Sequence, residues 1–507
     1  MTKRALISVY NKDKLAEFAQ ELISKYDYEI YSSGSTLDFL KENGIKTADT
    51  GKKHLLNGKV KSLYPDLFAG ILADTEDDID KSDIENENIK LFDMVIVNFY
   101  PFEETALKGA EEKELTAKID IGGPALLRAA AKNNKRVLAV SSPAQYKEVL
   151  SDLEENNGKS SLRLRREFAL KVFEKTLDFD AKILSGLADK FEEDADNYFS
   201  LNIKKSKNLR YGENPHQKAG IYYAGNTIDY EVLNGKELSY NNILDSAACC
   251  GILSEFFDVP ACAIIKHNTP SSAALGRTIE EAWTKALDAD PVSAFGGIIG
   301  LTQKITPALA KQLVSMFLEV IIAPDFENEA LEILKTKKNL RVIKLNTALE
   351  EYKNHLTEDI KITPFGVLVQ TSDKGEIDKD KFKVVTKTKP SQESIEDMIF
   401  AWKIAKHAKS NAVVIAKDFK TLGIGQGQTS RIDAFEIALN KACGSEKGAA
   451  AASDGFFPAV DNIYAAAQGR IAAIIQPGGS IKDEDVIKAA DKYNIAMITT
   501  GIRHFRH

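Results

Sequence analysis

Along residues 1–200, short apolar runs alternate with longer amphipathic segments. Residues 5–9 (ALISV) read as a strand, and Asn11 is placed to cap the helix that follows over 12–26. Residues 28–32 (YEIYS) read as a second strand, followed by Gly34-Ser35-Thr36 and a helix closed by Gly44. Two further strands are read over 93–102 and 135–140. This alternation predicts a mostly parallel, doubly wound sheet with helices on both faces. A long helical pattern over 161–191 and a polar segment over 192–208 put a domain boundary near residue 200.

The remainder carries a faint internal duplication. A helix (243–257) leads to the strand ACAIIKH (261–267) and a Gly-bearing segment. A second helix (393–409) leads to the strand NAVVIAK (411–417), a turn and TLGIGQGQTSR. The charged stretch 371–390 suits a connector between the two. The first of these strands ends in Lys266-His267, two adjacent titratable groups that packing alone does not require. They are either a strand end at the surface or the mouth of a site.

Composition narrows the reading. The chain has 507 residues and a net charge of −7, which implies several domains and argues against nucleic-acid binding as the main task. The basic cluster Arg163-Leu164-Arg165-Arg166 fits a solvated helix face. No apolar run reaches the roughly 18–20 residues of a spanning helix, and residues 1–12 show no signal-peptide pattern. The four cysteines form no CxxC pair and read as buried free thiols in a reducing cytoplasm. The seven histidines fall into no HxxxH, HxE or HExxH spacing, so a zinc site has no support.

Several clusters can carry chemistry. Ser33-Gly34-Ser35-Thr36 opens a helix after a strand, where backbone amides favour an anion; Ser8 and Lys12 could reach the same edge. The plainer alternative is a turn. Residues 57–65 (NGKVKSLYP) pack two lysines, an amide and a hydroxyl, although a solvated loop is the more usual origin of such a stretch. Gly122-Gly123-Pro124 opens a helix just after Asp120, with Arg128 and Lys132 on one face of an Ala-rich stretch. That stripe reads better as a site than as a solvent face. Residues 209–219 (LRYGENPHQKA) are dense in functional groups, and 290–301 lead Gly296-Gly297 into an apolar strand. Residues 423–431 (GIGQGQTSR) alternate three glycines with Gln426, Gln428, Ser430 and Arg431, 452–462 set paired phenylalanines next to Asp454, and the terminal IRHFRH carries two arginines and two histidines. A disordered tail is the bland reading of that ending, but 495–505 reads as a strand that carries it into the fold.

Together, GKVKSLYP, NFYPF, IDIGGPALLRAAAKN, RYGENPHQ, KHNTP, SAFGG, IIAP, SNAVVIAK, GIGQGQTSR, SDGFFP and RHFRH resemble, in order and over nearly the whole chain, the bifunctional family of AICAR (aminoimidazolecarboxamide ribonucleotide) formyltransferase joined to IMP (inosine monophosphate) cyclohydrolase. The resemblance implies an α/β architecture. Residues 1–200 would be a methylglyoxal-synthase-like, doubly wound cyclohydrolase domain. Residues 201–507 would be the formyltransferase, built as two cytidine-deaminase-like subdomains, about 201–375 and 376–507, without zinc. It implies the substrates AICAR, formyl-AICAR, IMP and folate, with 10-formyltetrahydrofolate consumed as co-substrate and no tightly bound cofactor. A monovalent cation is compatible with the family and unspecified by the residues. Neither nucleic acid nor membrane is an implied partner; a cytoplasmic homodimer is.

The resemblance also implies roles. His267 would be the proton shuttle, Lys266 an electrostatic aid, and Asn411 would orient the formyl group or His267. Arg210, Tyr211 and Arg503 would hold the nucleotide, while Phe295, Gly296, Gly297, Glu319, Gln428 and Phe456 would line the nucleotide or folate pocket. For ring closure, Lys61, Ser62, Tyr100, Asp120 and Lys132 would supply positioning and charge. Ser8, Lys12, Ser33, Gly34 and Thr36 would cradle the 5′-phosphate. The chain departs from the usual family pattern at Tyr10 (serine), Ser35 (glycine), Tyr64 (histidine), Ser271-Ser272 (Cys-Gly), Glu319 (aspartate) and Gly455 (alanine), and it is shorter between Arg431 and the FFP motif. Two rival readings are a zinc nucleoside deaminase, which needs an absent His/Cys/Cys set, and a non-catalytic or single-activity nucleotide-binding homologue.

Overall fold

The computed structural model describes residues 2–50, 60, 62–191, 201, 203–223, 227–355 and 358–507. The chain divides into two compact units, Met1–Asn202 and Ile203–His507.

The first unit is built on β1 (Lys3–Val9), β2 (Tyr28–Ser32), β3 (Thr47–Asp49), β4 (Met94–Asn98) and β5 (Leu138–Val140). They form a five-stranded sheet in the order β3-β2-β1-β4-β5, and every pairing is parallel. β4 is buried along its whole length, as a strand covered on both faces must be. One face packs Ile7, Phe18, Ile30 and Leu164; the other packs Leu6, Val95, Leu127 and Phe179. The first helix spans Leu15–Tyr26 and has no side-chain cap; Asn11 instead accepts from the Asp13 N–H at 2.8 Å and closes the turn before it. The long helix is Leu162–Lys190. Within its basic cluster Arg163 and Arg166 are solvated, but Arg165 donates to the carbonyls of Asn134 and Lys135 at 3.0 and 2.8 Å. That residue is a structural tie and not part of a free face.

The second unit contains two small hairpins and one large sheet. The hairpins are β6 (Lys204–Leu209) with β7 (Ala219–Tyr223), and β14 (Glu358–Thr363) with β15 (Gly366–Thr371). The sheet uses β8 (Tyr230–Asn234), β9 (Ala261–Lys266), β10 (Thr269–Leu275), β11 (Ile298–Leu301), β12 (Val320–Ala323) and β13 (Arg341–Leu345). It continues with β16 (Lys383–Val384), β17 (Val413–Lys417), β18 (Lys420–Gly425), β19 (Ala450–Ser453), β20 (Ala473–Gln476) and β21 (Ala496–Thr499). The order is β16-β21-β20-β19-β17-β18-β10-β9-β11-β12-β13-β8. Read inward from either edge, the two halves are the same: a leading strand, three parallel strands and a hairpin. The duplication is therefore complete in topology. The halves join where β10 meets β18, with Ala274 opposite Lys420 and the Thr421 hydroxyl bonding both backbone groups of Ala273 at 3.0 and 3.2 Å. The charged connector contributes β16 to the sheet edge. Helices Tyr240–Leu253 and Gln392–Lys406 share one core on one face, and each half has its own core on the other. Three cysteines are buried, but Cys443 is exposed at a helix end.

Candidate active sites

In the first unit the strand order reverses direction at β1, between β2 and β4, so a crevice opens beyond their carboxyl ends. Asn98, the last residue of β4, accepts the N–H groups of Tyr10 and Asn11 at 2.8 Å each and donates to the Asn11 carbonyl at 2.9 Å. This clamp aims the chain leaving β1, and a lone amide at a strand end carries no local sequence signal for it. Ser8 is half-buried in β1, opposite Val97. Lys12 bends back to the Tyr10 carbonyl at 3.4 Å. Ser33 precedes the helix Gly34–Glu42, and Gly34 has φ +56°, a conformation that glycine adopts without strain. The Thr36 hydroxyl is committed to Val9, accepting its N–H at 3.1 Å and donating to its carbonyl at 3.0 Å. Only its backbone is left for a ligand.

Tyr10 sets its ring edge-on to Tyr100, with centroids 5.6 Å apart. The Tyr100 phenol is pushed up by burial and by the nearby Asp120 charge. Asp120 accepts the Gly123 N–H at 2.8 Å and so caps the helix Gly122–Lys132. Ser62 lies against that helix start: a Cβ on Gly122 would stand 2.0 Å from its hydroxyl oxygen. Lys61 falls outside the described residues. Lys132 ends the helix ten residues after Gly122, about 15 Å along the axis, and is solvent-exposed. Its backbone is therefore well separated from that of Asp120 at the other end of the helix. Arg128 lies over the Phe173 ring at 5.5 Å, a packing role rather than a site role.

In the second unit the Lys-His pair ends a hairpin. Lys266 pairs with Thr269 across β9 and β10. Between them His267 and Asn268 have φ +56° and +60°, the two-residue left-handed turn that matches strand twist. His267 is exposed at its tip. Beneath it, the Asn268 N–H donates to Asp245 Oδ1 at 2.5 Å. Burial raises the Asp245 carboxyl, opposed by the amides of Asn268 and His267 and by the His267 ring. Lys266 Nζ donates to the Phe295 carbonyl at 2.9 Å, and the Phe295 and Phe317 rings lie 5.4 Å apart. Gly296, at φ +72°, donates to the Phe317 carbonyl at 2.8 Å, and the Gly297 carbonyl accepts the Glu319 N–H at 3.1 Å. Glu319 is held by Arg341 and Asn242, each at 3.2 Å.

The other half supplies the facing wall. Gln426 donates to the Pro270 carbonyl at 2.8 Å, which sets the loop 426–431 beside the His267 turn. Asn411 donates to the carbonyls of Gln428 and Thr429 at 2.9 and 3.2 Å and accepts from Arg431 at 2.6 Å. Its side chain is therefore fully engaged in shaping that loop. Arg431 and Asp454 form a buried ion pair, and Ser410 donates to Asp454 at 2.5 Å. The tail is folded in: the His504 N–H bonds the Asp454 carbonyl and the Ser410 N–H bonds the Arg506 carbonyl. Arg503 lies over the Phe505 ring at 4.4 Å, and Phe456 is exposed close by in sequence to Asp454. Arg210 stacks on Tyr211 and donates to its hydroxyl at 2.9 Å. Their loop lines a cleft of about 770 Å³ and reaches the helix bearing Asp245 through Asn241, which bonds the Glu213 carbonyl at 3.4 Å. Among the described residues, no group of three His, Cys, Asp or Glu side chains is placed to hold a metal.

The AICARFT/IMPCHase bienzyme family matches residues 130–441 and the MGS-like domain matches residues 14–125. The chain belongs to the AICARFT/IMPCHase bienzyme family. It is similar to proteins called bifunctional purine biosynthesis protein PurH: 47% identical to that of Caldicellulosiruptor saccharolyticus, 44% to that of Nostoc punctiforme and 44% to that of Persephonella marina, each match covering 100% of both chains. A solved structure described as "Crystal structure of ForH" is 28% identical over 37% of this chain and 98% of its own, with a TM-score of 0.33.

Proposed function

We propose that the first unit closes the purine ring and the second transfers the formyl group, within an enzyme that is, by family, a bifunctional one of purine biosynthesis. The observation that carries the reading is the exposed His267 at the tip of a turn braced from below by Asp245, with Lys266 beside it and the Asn411–Arg431 loop opposite.

In the formyl transfer, the weakly nucleophilic AICAR amine attacks the formyl carbon of 10-formyltetrahydrofolate. The new C–N bond forms as the amine loses its proton to His267, a base suited to neutral pH. The carbonyl oxygen becomes an oxyanion that the Lys266 ammonium stabilises. The C–N bond to folate then breaks, and the folate nitrogen takes the proton back. Arg210, Tyr211 and Arg503 bind the nucleotide. Phe295, Gly296, Gly297, Glu319, Gln428 and Phe456 line the pocket, and Asn411 holds the Gln428 loop.

In ring closure, the carboxamide nitrogen attacks its own formyl carbon and water leaves. Positioning and charge are sufficient, without an enzyme nucleophile. Tyr100, Asp120, Ser62 and Lys61 serve the reacting end, and Ser8, Lys12, Ser33, Gly34 and the Thr36 backbone serve the phosphate. Lys132 is assigned no contact in this cluster.

The folate is a consumed substrate, and no tightly bound cofactor is invoked. The enzyme acts in the cytoplasm as a homodimer. The β14–β15 hairpin supports that assembly, because it holds Ile362, Phe365, Val367 and Leu368 out in solvent. An absorbance assay with AICAR and 10-formyltetrahydrofolate tests the function. IMP should accumulate; formyl-AICAR accumulating in its place would contradict the cyclohydrolase assignment.

A further inference from the structure

The duplication extends to the supports beneath the two hairpin turns. Asp245 is the sixth residue of the helix Tyr240–Leu253, and Asp397 is the sixth of Gln392–Lys406. Each helix is capped by a serine, Ser239 or Ser391, bonded to the N–H three residues on. Asp397 accepts the N–H groups of Asp418 and Phe419 at 3.0 and 2.9 Å. Those two residues form the β17–β18 turn, with φ +52° and +55°. Asp245 does the same beneath His267 and Asn268. One architecture thus occurs twice, yet only one copy presents an imidazole.

We propose that Asp245 is a positioning residue for formyl transfer, whose carboxylate holds the backbone of the His267-Asn268 turn and favours the imidazolium formed when His267 takes the amine proton. Asp397 is its structural twin without that role. The inference rests on reading His267 as the proton acceptor. The other charged groups at this end are Lys266 on β9, Glu319 before β12, and Arg341, which pairs with Glu319 on β13. Lys266 opposes the imidazolium, and Glu319 is already neutralised by Arg341. Asp245 is therefore the anion left to stabilise it. The twin supplies an internal control: replacing either carboxylate by its amide takes one acceptor oxygen and the negative charge from beneath the same kind of turn.

The test compares Asp245→Asn with Asp397→Asn in the full chain, measuring formyl transfer against pH and cyclisation of supplied formyl-AICAR. For Asp245→Asn, kcat for formyl transfer should fall roughly 10- to 100-fold with little change in KM for AICAR. The acid limb of kcat/KM should move to lower pH, because a removed anion no longer favours the imidazolium. Cyclisation should be unchanged. Asp397→Asn should lower the thermal midpoint while keeping wild-type formyl transfer and an unmoved acid limb. Equal loss of kcat in both variants, or an unmoved acid limb in Asp245→Asn, overturns the proposal. Should Asp245→Asn not fold, Asp245→Glu takes its place: it retains the charge and displaces the turn. It should lose kcat with the acid limb unmoved, and a wild-type kcat there overturns the proposal. An active His267→Ala enzyme would instead refute the reading of His267 itself, independently of Asp245.

Discussion

Gln426, just past β18, donates its side-chain amide to the carbonyl of Pro270 at the start of β10, at 2.8 Å. The bond crosses the seam between the duplicated halves, three residues from His267. Gln426→Ala should therefore lower formyl transfer by about tenfold through misplacement of the two walls, and cyclisation should be unaltered. Steady-state assays of both reactions on one preparation check this; a parallel loss of cyclisation would contradict it.

Gly455 stands where alanine is usual in the family. A Cβ there would come within 2.6 Å of both Arg431 Nη2 and Phe505 Cε1. The departure lets the tail ring close over the buried Arg431–Asp454 pair. Gly455→Ala should destabilise the second unit by about 1–3 kcal/mol through overpacking. It should also raise KM for AICAR, because Arg503 rests on that ring. Thermal denaturation and nucleotide titration measure the two effects.

Ser271 and Ser272, where the family resemblance leads one to expect Cys-Gly, follow the His267-Asn268 turn. The Ser272 side chain is buried and donates to the Ala286 carbonyl at 2.7 Å, while Ser271 donates to Ile264 at 3.2 Å. Both bonds run into the body of the sheet and its covering helix, away from His267. Ser272→Ala should cost about 1 kcal/mol of stability and leave formyl transfer intact. A changed pH profile of formyl transfer would refute this separation.

A buried charge cluster sets the acid stability of the second unit. Burial would raise the Glu255 carboxyl, but the His407 hydrogen bond and the charges of His407, Lys406 and Lys353 hold it well below the usual carboxylate range. Burial also pushes His407 down, so at neutral pH the two lysines carry that stabilisation. Both groups bind fewer protons folded than unfolded. The stability contributed by His407 is thus present above its unfolded value of about 6.5 and lost as pH falls below it. That of Glu255 is present above about 4.3 and lost as pH falls toward its depressed folded value. The thermal midpoint should fall as pH drops below about 7, and Glu255→Gln should flatten the part of that slope below about pH 4.3. A midpoint rising on acidification would contradict the assignment.

Much of the fold was legible because apolar periodicity reports burial directly. β2 is the segment YEIYS that periodicity marks out, and β4 lies within the run assigned to it. The duplication was visible as a helix followed by an apolar strand, twice. Its completeness was not, because strand order is a long-range property absent from local pattern. Nor did the Lys-His pair reveal itself as a hairpin tip, since left-handed turns usually advertise Gly and here use His267-Asn268. Asn98 was passed over because a buried amide at a strand end looks like core until its three backbone partners are seen. The Arg128–Lys132 stripe faces solvent, and Arg128 lies over the Phe173 ring. Gly34 and Gly296 owe their place to a positive φ, whereas Gly455 owes it to space, since a methyl group there would strike Arg431 and Phe505.

The central claim is that two separate sites perform the two reactions. Its most direct test is His267→Ala, assayed for formyl transfer and for cyclisation of supplied formyl-AICAR. Formyl transfer should fall by at least about 100-fold while cyclisation proceeds at the wild-type rate. Loss of both together, or retention of formyl transfer, would contradict the account.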